Sequence, residues 1–157
     1  MPMRAMPEPR VFESSIRDVD FGDNVTVVNP CNLYECHIGS GSFVGPFCEI
    51  QKGVRIGART KVQSHSFICE LVTIGEDCFI GHGVMFINDT FSKGGPARGD
   101  TSLWCSTRIG HRVSIGSNAT LLPVDVCDDV VIGAGAVVTK SITESGTYVG
   151  NPARKLS

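Results

Sequence analysis

The chain has 157 residues, 41% of them hydrophobic and 19% charged, which suits one soluble folded domain and excludes a disordered polymer. A formal net charge of -2 without a basic run gives no support to nucleic-acid binding. With 18 glycines and only 7% aromatic residues, turn-rich β structure is favoured over a helical bundle.

The opening stretch "MPMRAMPEPRVFESS" lacks the apolar core of a signal peptide or membrane span. No later apolar run approaches the roughly 20 residues that a spanning helix needs. The expected location is therefore the cytoplasm, with residues 1–19 as an arm and cap, 20–154 as the folded domain and 155–157 as a tail. Asn24-Val-Thr, Asn88-Asp-Thr and Asn118-Ala-Thr fit the glycosylation pattern, but without a secretory route they are chance matches. Seven cysteines, at 31, 36, 48, 69, 78, 105 and 127, form no C-x-x-C pair. An odd count in such a chain points to free thiols, acting as small buried hydrophobes.

From Ile38 onward the aliphatic residues keep a six-residue beat: Ile38, Val44, Ile50, Ile56, Val62, Ile68, Ile74, Ile80, then Phe86. Glycine follows directly at Gly39, Gly45, Gly57, Gly75 and Gly81. Six is a multiple of neither helical period, and a plain hairpin sheet has no reason to repeat glycine at this interval. A recurrent hexad of this kind is the signature of a β-helix. Each hexad supplies one short strand and one turn, and three hexads close a triangular coil. The beat returns at Ile109, Ile115 and Leu121, then runs one residue short through Val126, Ile132 and Val138.

Between Phe86 and Ile109 lie 23 steps where an unbroken beat needs 18 or 24. Residues 88–107, rich in glycine and charge, are thus an excursion from the coil. A long loop inside a compact repeat is usually functional. Trp104, the single tryptophan, has three readings: anchor of the loop, stacking partner for a base, or plain packing.

The repeats, with the closing segment "VVIGAGAVVTKSITESGTYVGNPARKL", resemble the hexapeptide-repeat acyltransferases over residues 20–154. The resemblance implies an all-β fold, a left-handed parallel β-helix of hexapeptide repeats with one protruding loop. The segments "CNLYECHIGSGSFVGPFCEIQKGVRIG", "VQSHSFICELVTIG" and "FIGHGVMFIND" are similar to one subgroup, N-acetyltransferases acting on nucleotide-linked amino sugars of surface-polysaccharide synthesis. The chain departs from that subgroup in "TFSKGGPARGD" after "FIND" and in the shortened "LLPVDVCDDVVIG". Acetyl-CoA is the implied cosubstrate, its arm running along Gly116, Ser117, Asn118, Ala119 and Gly133, Ala134, Gly135, Ala136, with Lys140 and Arg154 on the phosphates. A homotrimer with active sites at subunit interfaces is implied as well, with no metal, no nucleic acid and no membrane partner.

Transfer from a thioester to an amine needs a proton acceptor, a donor for the developing oxyanion and two substrates held in line. Histidine is the usual base. On the six-residue grid His65 and His82 fall at one corner of adjacent coils. Asn88 and Asp89 fall at the next corner, where the loop departs, with Glu70 one coil below Asn88. His65 or His82 is therefore the expected base or amine-orienting group. Asn88 and Asp89 match the resemblance's Asn-Asp pair and would hold the amine. Glu70 and Trp104 complete the substrate side, while His37 and His111 fall elsewhere. The departing thiolate can also take the proton, leaving the histidines only to bind. Three rivals are an O-acetyltransferase on a sugar or serine hydroxyl, a zinc γ-class carbonic anhydrase and a non-enzymatic β-helix subunit. The first makes a histidine base obligatory, and the second needs three converging histidines.

Overall fold

Each hexad becomes a strand of two or three residues and a tight corner in the computed structural model, which describes residues 10–157. The strands stack in parallel into three sheets, the faces of a left-handed triangular spool. Face I stacks Ile16–Arg17, Asn32–Tyr34, Glu49–Ile50, Phe67–Ile68, Met85–Phe86, Thr120–Leu121 and Val137–Val138. Face II stacks Asp20–Phe21, His37–Ile38, Arg55–Ile56, Val72–Ile74, Thr107–Ile109 and Asp125–Val126. Face III runs from Thr26–Val27 through Phe43–Val44, Lys61–Val62, Phe79–Ile80, Ser114–Ile115 and Val130–Ile132 to Gly146–Val149. The chain visits the faces in the order I, II, III.

The grid aliphatics point inward. Ile38, Val44, Ile50, Val62, Ile68 and Ile80 are fully buried, each stacked on its counterpart one coil away, as in the pairs Ile38–Ile56 and Val62–Ile80. Burying such a side chain is worth about 1.5–3 kcal/mol, so the column is the main source of stability. The register confirms the step of 18 residues in the middle coils and of 17 after the loop, where Ile109 pairs with Val126 and Leu121 with Val138. Leu33 pairs with Ile50, a step of 17 as well, so the coils before Ile38 lie off the six-residue beat.

The corners explain the glycines and the cysteines. A Cβ on Gly57 would sit 2.5 Å from the carbonyl carbon of Gly75, one coil up, so only glycine permits the coil spacing. Next to these glycines stand buried Ser, Thr and Cys whose side chains cap the corner carbonyls of the neighbouring coil. Ser42 Oγ donates to the Gly57 carbonyl (3.0 Å), Thr60 Oγ1 to that of Gly75 (2.9 Å) and Cys78 Sγ to that of Gly110 (3.1 Å). Cys31, Cys48 and Ser66 form the same ladder at another corner, on the carbonyls of Gly45, Gln63 and Gly81. The thiols are free and five of the seven are buried, yet several serve as hydrogen-bond donors in addition to filling space.

Outside the corner between faces II and III, Arg59 bridges Glu76 and Asp77, and Arg112 bridges Asp128 and Asp129. These exposed pairs tie adjacent coils together at small net gain. At the C-terminal end Arg154–Lys155 turns back antiparallel onto Gly146–Val149 and covers the last coil's edge. Among the described residues no helix is long and apolar enough to cross a membrane.

Candidate functional site

The corner between faces III and I carries most of the candidate chemistry. Five successive corners stack there: 45–48, 63–66, 81–84, 116–119 and 133–136, the last three linked by main-chain bonds from Asn118 N–H to the His82 carbonyl (2.8 Å) and from Gly135 N–H to the Ser117 carbonyl (2.9 Å). His65 and His82 therefore share one edge of the spool, as their grid positions predict. Directly above them lie the glycine- and alanine-rich corners expected to take the coenzyme arm. Gly135 is exposed with open space beyond its α-carbon, so an extended ligand can approach the main chain there.

The two histidines differ in their surroundings. His82 is exposed and its Nδ1 shares a hydrogen bond with Ser64 Oγ at 2.9 Å. With Nδ1–H donating to Ser64, Nε2 presents its lone pair to a substrate, the tautomer a general base requires. His65 sits in the left-handed region (φ 64°) and stacks on the Phe47 ring, centroids 4.9 Å apart. It has position without an orienting polar partner among the described residues, and His82 has both.

Asn88, Asp89 and Glu70 gather at the next corner, between faces I and II. Asn88 Nδ2 donates to the Glu70 main-chain carbonyl (3.2 Å), and Glu70 N–H donates to Gln51 Oε1 (3.3 Å). The vertical pairing of Glu70 with Asn88 is thus present, but it runs through Glu70's backbone and not its carboxylate. Asp89 is half-buried and staples the loop: Oδ1 accepts from Phe91 N–H (3.0 Å) and Oδ2 from Ala97 N–H (2.7 Å). Each oxygen keeps a second lone pair for a ligand. The loop leaves after Ile87 and returns at Thr107, its neck closed by Cys105 N–H donating to the Asn88 carbonyl (2.8 Å). Trp104 is half-buried where the loop's short Thr101–Leu103 turn ends.

The base of the loop and face I enclose a cavity of about 440 Å³, lined by Phe67, Phe86, Ile87, Asn88, Asp89, Thr90, Phe91 and Leu122. It stands beside Asn88 and Asp89, and its wall is largely apolar. Sequence reasoning missed Phe67 and Phe91, Ser64 behind His82 and Phe47 beneath His65. The signal for Ser64 and Phe47 was available, since each lies 18 residues before a histidine already singled out. His82 and Asn88 stand on opposite edges of face I, so a single amine cannot touch both within one chain.

Lys140 and Arg154 meet at the C-terminal end around a cavity of about 290 Å³ that also includes Tyr148 and Lys155. Neither Lys140 nor Arg154 is in an ion pair among the described residues. His37 lies on face II, paired with Asp20 at 2.7 Å, and His111 accepts from the Glu76 N–H, so both stand away from the edge that holds His82. Among the described residues no three His, Cys, Asp or Glu gather as ligands for a metal ion.

Residues 71–85 and 106–140 match the hexapeptide repeat of succinyl-transferase, and residues 35–70 match the bacterial transferase hexapeptide of six repeats. The bifunctional protein GlmU of Baumannia cicadellinicola is 31% identical over 153 residues, covering 85% of this chain and 30% of that protein. The chain spans about a third of the length of the first curated relatives it matches. Among solved structures, AntD of Bacillus cereus, an N-acyltransferase in complex with dTDP and coenzyme A, superposes with a TM-score of 0.73 at 20% identity, covering 87% of this chain and 84% of AntD. A hexapeptide-repeat acetyltransferase of Vibrio cholerae complexed with acetyl coenzyme A gives 0.63 at 25% identity, with 77% and 69% covered.

Proposed function

Because the chain belongs to the hexapeptide-repeat transferases, we propose that it moves an acetyl group from acetyl-CoA to the amino group of a nucleotide-linked amino sugar. One observation carries the reading: His82, oriented by Ser64, lies on the same edge as Gly116–Ala119 and Gly133–Ala136, one coil beneath the nearer of them. A thioester delivered along those corners ends beside the imidazole. The AntD complex holds coenzyme A together with a nucleotide, and the Vibrio cholerae acetyltransferase holds acetyl coenzyme A, which supports the pairing of substrates.

In the reaction the amine nitrogen attacks the thioester carbonyl carbon, the carbonyl oxygen becomes negative, and collapse breaks the carbon–sulfur bond. His82 Nε2 takes the proton that the nitrogen loses, and that proton then leaves with the thiolate as coenzyme A thiol. Lys140 and Arg154 hold the coenzyme's phosphates. Asn88 and Asp89 hold the acceptor, Asp89 through a charged hydrogen bond, with Glu70 and Trp104 at the same end. Because His82 and Asn88 occupy opposite edges of one chain's face I, a second copy completes the acceptor site in this reading, within the homotrimer that the family resemblance implies, its sites in the subunit clefts. The seven thiols suit a reducing cytoplasm.

The test is a thiol-release assay with acetyl-CoA against a panel of nucleotide-linked amino sugars, run on wild type and on His82→Gln. Turnover of an amino sugar is expected, with His82→Gln slower by about 100- to 10,000-fold, the usual range for loss of a general base. Turnover of simple alcohols alone would transfer the reading to O-acetylation. A His82→Gln variant as fast as wild type would leave the leaving thiolate as the base.

A further inference from the structure

From the corner at 45–48 upward, the third residue of each stacked corner between faces III and I has a positive φ: Phe47 (61°), His65 (64°), Gly83 (65°), Asn118 (59°) and Gly135 (69°). Glycine and asparagine adopt this region readily, whereas a bulky ring does so only against steric resistance. The two exceptions are neighbours, one coil apart, and their rings stack with centroids 4.9 Å apart and an interplanar angle of 29°. Phe47 is 57% exposed. The left-handed conformation itself belongs to the corners, since exposed Glu35, Arg59, Leu71 and Arg112 adopt it too; what sets this edge apart is a ring that neither fills the core nor hides from water. A solvent-facing pair of stacked rings beside the edge that holds His82 offers a flat π face to a ligand.

Position along the spool limits which ligand that is. His82 stands one coil above His65, and the corners assigned to the coenzyme arm lie above His82. The Phe47–His65 pair is on the other side of His82, toward the N-terminal coils, the side that the proposed coenzyme path leaves open to the acceptor. Asn118, the next side chain up this column, closes over Gly83: its Oδ1 lies 2.5 Å from where a Gly83 Cβ would be. The exposed aromatic surface of this edge is thus confined to the lower pair.

We propose that Phe47 and His65 form a stacking platform for the nucleobase of the acceptor, a proposal that rests on the reading of the acceptor as nucleotide-linked. Every base offers a π face, so such a platform contributes affinity for a nucleoside diphosphate with little choice among bases. Hydrogen-bonding groups elsewhere in the cleft select the base and the sugar.

Equilibrium dialysis with UDP, dTDP and GDP separately, on wild type, Phe47→Gly and Phe47→Tyr, tests this without requiring turnover. Glycine relieves the strained φ, so Phe47→Gly is expected to fold with an equal or higher melting temperature. Wild type is expected to bind at least one of the three nucleotides, and Phe47→Gly to bind it about 5- to 150-fold more weakly, the range for losing one base–aromatic stack. Phe47→Tyr, which keeps the ring, is expected to bind near the wild-type value, and coenzyme A affinity to be the same in all three proteins. Wild-type protein that binds none of the three nucleotides overturns the platform. So does a Phe47→Gly that binds as well as wild type, or a Phe47→Tyr no better than Phe47→Gly. A parallel loss of coenzyme A affinity also overturns it, by assigning the rings to the coenzyme's adenine. Phe47-dependent nucleotide binding without acetylation of any nucleotide-linked amino sugar would defeat the proposed reaction and leave the platform standing.

Discussion

Replacing Asp89 by asparagine tests whether its carboxylate holds the loop closed. The side chain keeps its shape but loses its charge and one acceptor. Asp89 accepts from Phe91 N–H at 3.0 Å and from Ala97 N–H at 2.7 Å, and each such bond to a charged group is worth about 1.5–3 kcal/mol. In the variant one bond survives at the neutral value of about 1 kcal/mol, and the other becomes two donors face to face, a loss of about 2–5 kcal/mol. Because Asp89 is half-buried and water competes for its oxygens, the lower end applies. That corresponds to an open loop populated about 30- to 100-fold more often. Lys93 and Arg98 are exposed within the loop, so trypsin cleavage after them reports that population when reclosing outpaces cutting. The spool is expected to melt at an unchanged temperature, since between Asn88 and Ser106 Ala97 is the one buried side chain and it lies outside the core cluster. Cleavage of Asp89→Asn at the wild-type rate would refute the staple.

Three further outcomes follow from the spool. Thr60 is fully buried, with its Oγ1 donating to the Gly75 carbonyl and accepting from Cys78 N–H. Thr60→Val is expected to cost about 2–5 kcal/mol in urea unfolding by leaving both partners unmet, and Thr60→Ser far less; equal costs would mean that the hydroxyl is idle. Burial pushes the Cys36 and Cys48 thiols up to about 11 and the Cys69 thiol up to about 12. A thiol-exchange reagent near neutral pH is therefore expected to modify the exposed Cys105 fast and the five buried cysteines only on unfolding, and rapid release from buried positions in the native protein would contradict the packing. The Arg59 guanidinium holds the Asp77 carboxyl below its ordinary value of 3.8, and Arg112 does the same for Asp129. A depressed folded value stabilises above the unfolded one and is lost as pH falls through the folded one, so stability should drop below about pH 4. An Asp77→Asn, Asp129→Asn double variant should flatten that acid limb, and an unaltered limb would remove these pairs from the account.

The spool was legible because burial imposes one strict rule, an inward aliphatic residue every sixth position, and Ile38 through Ile80 obey it without exception. The same rule placed His65 and His82 on one edge and sent the loop out beside Asn88. Legibility failed where spacing gives way to local chemistry. Leu33 lies five residues before Ile38, off the beat, because that corner is one residue shorter. The corner thiols read as small hydrophobes, since sequence shows their size and not the carbonyl each one faces. The loop-stapling bonds of Asp89 were not legible, because its bond to the Ala97 N–H joins positions eight residues apart in an aperiodic segment. The pairing of Phe47 with His65 needed only the 18-residue step already in hand.

The loop's neck has an effect on how this scaffold can change. Ile74 pairs directly with Ile109 across the gap, and the Asn88 carbonyl receives the Cys105 N–H at the exit. The coils on either side therefore close on each other whatever length or composition lies between. Such a cassette can be exchanged, lengthened or rewritten while the winding stays intact, and under the proposed reaction acceptor preference can then drift among descendants faster than the spool itself.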